Sequence, residues 1–126
     1  MDNPYQEILD ILAVYFDGLY FSDAERLTEA FHPDARYVCA SDDPLLQLGM
    51  DAYLPLVAKR ASPASRGETR RDAVESIAFA GPNAAVARVR CAIGQKLFTD
   101  ILTLVRADGR WRIISKVFHY DLMDPK

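Results

Sequence analysis

The sequence predicts an α+β fold in which helices near the N-terminus gather on one face of a curved antiparallel sheet. Three observations predict it. The first part of the chain carries apolar residues at three- and four-residue spacing, the segment from Glu68 onward alternates, and no βαβ repetition joins the two. A chain of 126 residues, half of them hydrophobic, fits one domain over 1–126 with one buried core.

The opening segment NPYQEILDILAVYFDGLYF places Ile8, Ile11, Leu12, Tyr15, Phe16 and Leu19 on one helical face. Asn3 can cap it, Pro4 suits the first helical position because the N–H it lacks has no partner there, and Gln6 stands where a capping-box side chain reaches back. SDAERLTEAFHP repeats the grammar: Ser22 and Glu25 form a capping box, Leu27, Ala30 and Phe31 an apolar stripe, and Pro33 prevents continuation. His32, at that junction, reads as a seam that satisfies the last helical carbonyls. ARYVCA, from Ala35 to Ala40, is rich in strand formers, and SDDPLLQLG adds a turn and a second short strand. MDAYLPLVAKRA sets Tyr53, Leu54, Val57 and Ala58 at helical spacing, with Pro55 acceptable only in a first turn, and Ser62 to Gly67 is a loop by composition.

Four strands follow, divided by reversals at GPNA, GQ and DG. With Asp108 and Gly109 central in a tight turn, Ala107 pairs with Arg110, Leu104 with Ile113, Leu102 with Ser115 and Asp100 with Val117. One sheet face then collects Val89, Cys91, Phe98, Leu102, Trp111, Ile113 and Val117, with Asp100, Ser115 and His119 as polar exceptions. The other carries Arg88, Arg90, Thr99, Thr103, Arg112 and Lys116 beside Ile101, Ile114 and Phe118. It is too charged for a dry core and too apolar to stay wholly wet, so a homodimer through the sheet is expected. Buried polar groups are normally satisfied or functional, because leaving one unpaired costs about 1–3 kcal/mol. In this register Asp100 and His119 are diagonal neighbours, either an acid/base pair or an ion pair that fixes the last strand.

Composition excludes several classes. Lys and Arg total 15 against 18 Asp and Glu, so the excess positive charge that drives nucleic-acid binding is missing. Cys39 and Cys91 belong to no Cys-x-x-Cys pair or Cys/His cluster, so two free thiols and no metal are expected. No apolar run is long enough to span a bilayer and no export signal opens the chain, so a cytoplasmic protein with no membrane partner is expected.

Two helices ending in AFHPDA, a strand, a third helix, then AAVARV, FTDILTLVRADGRWRII and SKVFH resemble the NTF2-like superfamily, in particular its SnoaL-like, lumazine-binding group of small bacterial proteins. The resemblance covers nearly the whole chain. It implies an α+β cone of the cystatin-like kind, a strongly curved sheet wrapped around helices with a pocket inside, commonly paired into homodimers through the sheet. The superfamily includes ketosteroid isomerases, cyclases, dehydratases, epoxide hydrolases and non-enzymatic binding domains, so fold alone does not fix chemistry. Set against the ketosteroid isomerases, Tyr15 matches their oxyanion donor, Cys39 falls where their general base stands, and their second oxyanion acid falls within one residue of Ile101, which makes Asp100 a candidate. Without the base, that isomerase chemistry is not expected.

The expected site therefore has Asp100, His119 and Tyr15 as catalytic candidates. Tyr15, Tyr37 and Trp111 are candidates to stack a flat ligand, joined by Phe16 and Tyr53 from the helices and Cys39, Cys91 and Ser115 from the strands. The leading expectation is a homodimeric domain that binds a small, partly apolar, flat organic molecule in an enclosed helix-sheet pocket, without a cofactor. Its rivals are a cofactor-free lyase, isomerase or cyclase using the Asp–His pair and the Tyr donor, and a dimeric interaction module with a vestigial pocket. No residue pattern specifically demands a pteridine.

Overall fold

Asn3 does cap the first helix: its side-chain oxygen accepts from the Gln6 N–H at 3.2 Å, and Pro4 opens the helix. The computed structural model describes residues 3–123, so the outermost positions of the expected 1–126 domain lie outside the described residues. The elements are α1 (Pro4–Tyr20), α2 (Ala24–Ala30), β1 (Phe31–Cys39), β2 (Leu46–Gly49), α3 (Met50–Lys59), a 3₁₀ turn (Ala64–Arg66), β3 (Ala73–Phe79), β4 (Ala84–Ile93), β5 (Lys96–Ala107) and β6 (Arg110–Leu122).

Three local expectations shift. The cap of α2 is Asp23, which accepts from the Arg26 N–H at 3.2 Å, because Ser22 adopts a φ of 49° and its buried hydroxyl has no partner. His32 does not cap a helix: α2 ends at Ala30, β1 begins at Phe31, and His32 Nδ1 accepts instead from the Asp34 N–H at 3.0 Å. Pro55 lies in the second turn of α3, since Gly49 precedes the helix and Met50 starts it.

The six strands form one sheet in the order β2-β1-β6-β5-β4-β3, strongly curled but not closed, with the three helices on its inner face. β3 to β6 make the expected meander, and Asp108 and Gly109 form its last turn with φ of 54° and 75°. β1 pairs antiparallel with β2 but parallel with β6, so the sheet is mixed. The core fills the concavity: Ile8, Leu12 and Leu27 from the helices meet Val89, Leu102, Leu104 and Ile113 from the strands, all essentially without solvent exposure. Gly18 lets α1 and α2 cross closely; a Cβ there would lie 2.6 Å from Leu27 Cδ2.

One irregularity decides which side chains face inward. Ala107 pairs with Arg110 and Leu104 with Ile113 as the turn requires, but Thr103 then pairs with Ser115, which leaves Ile114 as an unopposed extra residue, a β-bulge. Beyond it Leu102 faces Lys116, Asp100 faces Phe118 and Thr99 faces His119. Side chains alternate, so this single inserted residue turns the rest of β6 over. Lys116 and Phe118 point into the core, 4% and 3% exposed, while Ser115, Val117 and His119 turn to the outer face.

Candidate functional site

The bulge dissolves the expected Asp100–His119 pair. Asp100, in the middle of β5, is completely buried, whereas His119 is exposed on the opposite face. Its Nε2 lies 3.0 Å from Asp121 Oδ1 and its Nδ1 2.6 Å from Ser41 Oγ. A carboxylate can only accept, so Nε2 carries a proton, and in the neutral ring the Ser41 hydroxyl then donates to Nδ1. The same Ser41 oxygen accepts from the Tyr120 N–H at 3.1 Å, which ties the end of β1 to β6.

Asp100 has a different partner. α1 presents Tyr15 inward, fully buried, and its hydroxyl donates to Asp100 Oδ2 at 2.5 Å. Asp100 Oδ1 is buried with no partner. Burial, and then the Asp100 carboxylate beside it, push the Tyr15 hydroxyl well above the ordinary tyrosine range. Neither residue lines the two spaces that open at the mouth of the cone, and both are fully buried beneath them.

Above this pair the bulge delivers Lys116. Its Nζ sits among four rings, 5.0 Å from the centroid of Phe118, 5.2 Å from Tyr15, 5.4 Å from Tyr37 and 5.8 Å from Tyr53. Tyr37 and Tyr53 stack on each other at 4.3 Å, and Phe98 tilts against Phe118 at 5.6 Å. Burial alone works against the ammonium, yet Tyr53, Asp100, Tyr37 and Cys91 around it outweigh burial and raise its pKa above the usual lysine value. Lys116 is therefore a fixed cation, not an amine free to act as a nucleophile. The nearby Cys91 thiol is pushed up to about 12, chiefly by burial, and is chemically quiet at neutral pH. Tyr37 is likewise raised to about 12, by burial first, with Lys116 opposing.

Two adjoining spaces open from this cluster toward the mouth of the cone. The inner one, about 20 Å³, is lined by Leu19, Tyr37, Tyr53, Arg60, Cys91, Ile93, Phe98 and Lys116. The outer one, about 230 Å³, shares Tyr37, Arg60, Ile93 and Phe98 and adds Cys39, Asp42, Leu46, Lys96, Phe118 and Tyr120. The four shared residues form the neck. Among the described residues no group of three or more His, Cys, Asp or Glu is placed to hold a metal, and no described helix is long and apolar enough to cross a membrane.

Of the residues expected to meet a ligand, the fold thus gathers Tyr37, Cys39, Tyr53 and Cys91 around these spaces. Tyr15 and Phe16 lie in the packed core instead. Ser115 is on the outer face, and Trp111 stands away from the cone's mouth, its Nε1–H donating to Glu7 Oε1 at 3.1 Å beside α1. Reading the sequence missed Arg60 and placed Lys116 and Phe118 on the opposite face of the sheet. A lysine between Ser115 and Val117 looks like a solvated strand residue unless the bulge is known, and Arg60 follows a helix end where a surface cation is ordinary.

Comparison with known proteins agrees with this architecture. Residues 3–119 match the model of a family described as "Putative lumazine-binding". Among solved structures, an NTF2-like protein of unknown function from Methylobacillus flagellatus KT is 27% identical with a TM-score of 0.80, covering 94% of this chain and 92% of its own. Another from Silicibacter pomeroyi DSS-3 is 24% identical with a TM-score of 0.81, covering 93% and 95%. A ketosteroid isomerase-like protein from Erwinia carotovora atroseptica shares the fold at 9% identity and a TM-score of 0.73, covering 95% and 98%. No curated protein matches.

Proposed function

Since the chain belongs to the family described as "Putative lumazine-binding" and has the NTF2-like fold, we propose that it binds a small, flat, partly apolar organic molecule at the mouth of the cone. The observation that carries this reading is the neck of Tyr37, Phe98, Ile93 and Arg60, shared by an outer space of about 230 Å³ and a much smaller inner one that reaches a buried cation. Aromatic and aliphatic walls with a few converging polar groups are the usual makeup of a small-molecule site. An outer space of about 230 Å³ suits one or two fused rings better than a bulkier ligand. Tyr37, already stacked on Tyr53, offers a flat face to such a ring system.

Isothermal titration with lumazine, riboflavin and simple two-ring aromatics tests the reading. Binding that Phe98→Ala weakens supports it. No heat with any of them at millimolar concentration contradicts it.

The same proposal includes two copies of the chain paired through the outer face of the sheet. Phe118, expected there, is instead inside, but Val86, Ile101 and Val117 leave apolar surface exposed at 43%, 38% and 37%. Sedimentation should give a dimer at micromolar concentration that Ile101→Asp dissociates; a wild-type monomer contradicts it.

A further inference from the structure

Lys116 is a buried residue, 4% exposed, whose side chain reaches the inner space. It is not hydrogen-bonded to Asp100, whose Oδ2 is taken by Tyr15 and whose Oδ1 has no partner. The aromatic rings around it supply attraction to their faces but no acceptor comparable to a carboxylate. The space it touches, about 20 Å³, holds one water-sized group. That is also the size of a single ligand oxygen.

Charge around the two spaces points the same way. Asp100 lies near Lys116, and Asp42 and Lys96 both line the outer space, but among the described residues Arg60 at the neck has no salt-bridge partner, so these groups together carry one positive charge in excess. A neutral ring system leaves that excess in place, even where a ring carbonyl meets the Lys116 donors. A monoanion removes the excess and fills the inner space with an acceptor.

Resting on the ligand-binding reading above, we infer that the molecule the cone accepts is a monoanionic aromatic acid. One acidic oxygen occupies the inner space and accepts from Lys116, Arg60 flanks it at the neck, and the ring system lies against Tyr37 and Phe98 in the outer space. No bond is made or broken in this step; the lysine acts as a charge-reading floor.

A matched pair of probes separates this inference from the reading beneath it. 2-Naphthoate and 2-naphthamide have the same ring and nearly the same shape but differ in charge. By calorimetry at pH 7 the naphthoate should bind about tenfold or more tightly than the amide, the worth of a charge-assisted hydrogen bond. Lys116→Met should abolish that preference, lowering the naphthoate's affinity by about tenfold more than the amide's. If that variant does not fold, Arg60→Gln at the exposed neck takes its place and should reduce the preference severalfold. Equal binding of acid and amide to wild type overturns the inference and leaves the ligand-binding reading standing. Naphthoate preference untouched by the Lys116 variant, or by the Arg60 variant where the first does not fold, overturns the assigned site. Binding of neither probe overturns inference and reading together.

Discussion

The Tyr15 hydroxyl donates to Asp100 Oδ2 at 2.5 Å in a place where neither side chain meets solvent. It is the carboxylate's single hydrogen bond, since Oδ1 has no partner. Tyr15→Phe keeps the ring that packs against Phe16 and Phe31 and removes only the hydroxyl. Denaturant unfolding should register a loss of about 1.5–3 kcal/mol, the worth of a hydrogen bond to a charged group. A loss under about 0.5 kcal/mol would mean that the buried carboxylate does not depend on Tyr15.

Alkaline pH should weaken the fold in a defined window. Burial raises the Cys91 thiol from 9.0 to about 12, so between those values the unfolded chain has released a proton that the folded chain still holds. The folded state binds more protons there, and stability falls as pH rises, by about 1.4 kcal/mol per pH unit for this one group. Tyr37, raised from 10.0 to about 12, adds to the fall in the upper part of the window. Unfolding free energies measured from pH 8 to pH 11 check this, and Cys91→Ala should flatten the slope from pH 9 to 10. A slope that Cys91→Ala does not alter would contradict the assignment.

The inverted end of β6 makes a prediction about His119. Asp100→Asn should leave the His119 ring resonances in place, because the two residues lie on opposite faces of the sheet. Ser41→Ala should move them, since Ser41 Oγ is 2.6 Å from Nδ1. Movement in the first variant with none in the second would restore the unbulged register.

Gly18 should tolerate no side chain. A Cβ at that position would stand 2.6 Å from Leu27 Cδ2 and 2.7 Å from Cγ, and Leu27 is fully buried, so moving it disturbs the core. Gly18→Ala should destabilise the fold by about 1–3 kcal/mol despite alanine's better helix propensity, as overpacking does. A thermal melt at or above the wild-type temperature would show that α1 and α2 can separate without cost.

The fold was legible because its signals are local. The Asn3 cap with Pro4, the three-and-four stripe from Ile8 to Leu19 and the Asp108–Gly109 turn each work over a few residues, and each appears where expected. Of the residues around the candidate site, Tyr37, Cys39, Tyr53 and Cys91 were legible in the sequence, while Lys116 and Phe118 were expected on the wrong face, for one physical reason. Ile114 bulges out of the ladder, and a bulge in a run of strand formers such as Arg112 to Val117 leaves no mark in composition or alternation. Period two then amplifies it: one extra residue exchanged Ser115, Val117 and His119 for Lys116 and Phe118 on the inner face. The parallel pairing of β1 with β6 was hidden for a related reason, since a contact between the first and last strands depends on how far the sheet curls.

Amide chemical-shift mapping tests the central claim, a ligand site at the cone's mouth, most directly. Adding 2-naphthoate to the 15N-labelled protein should perturb Tyr37, Tyr53, Arg60, Cys91, Ile93, Phe98 and Lys116, which the fold brings together from α3 and its end and from four strands. Shifts confined to Glu7, Asp10, Gly109 and Trp111, which line a groove beside α1, or no shifts at millimolar ligand, would contradict it.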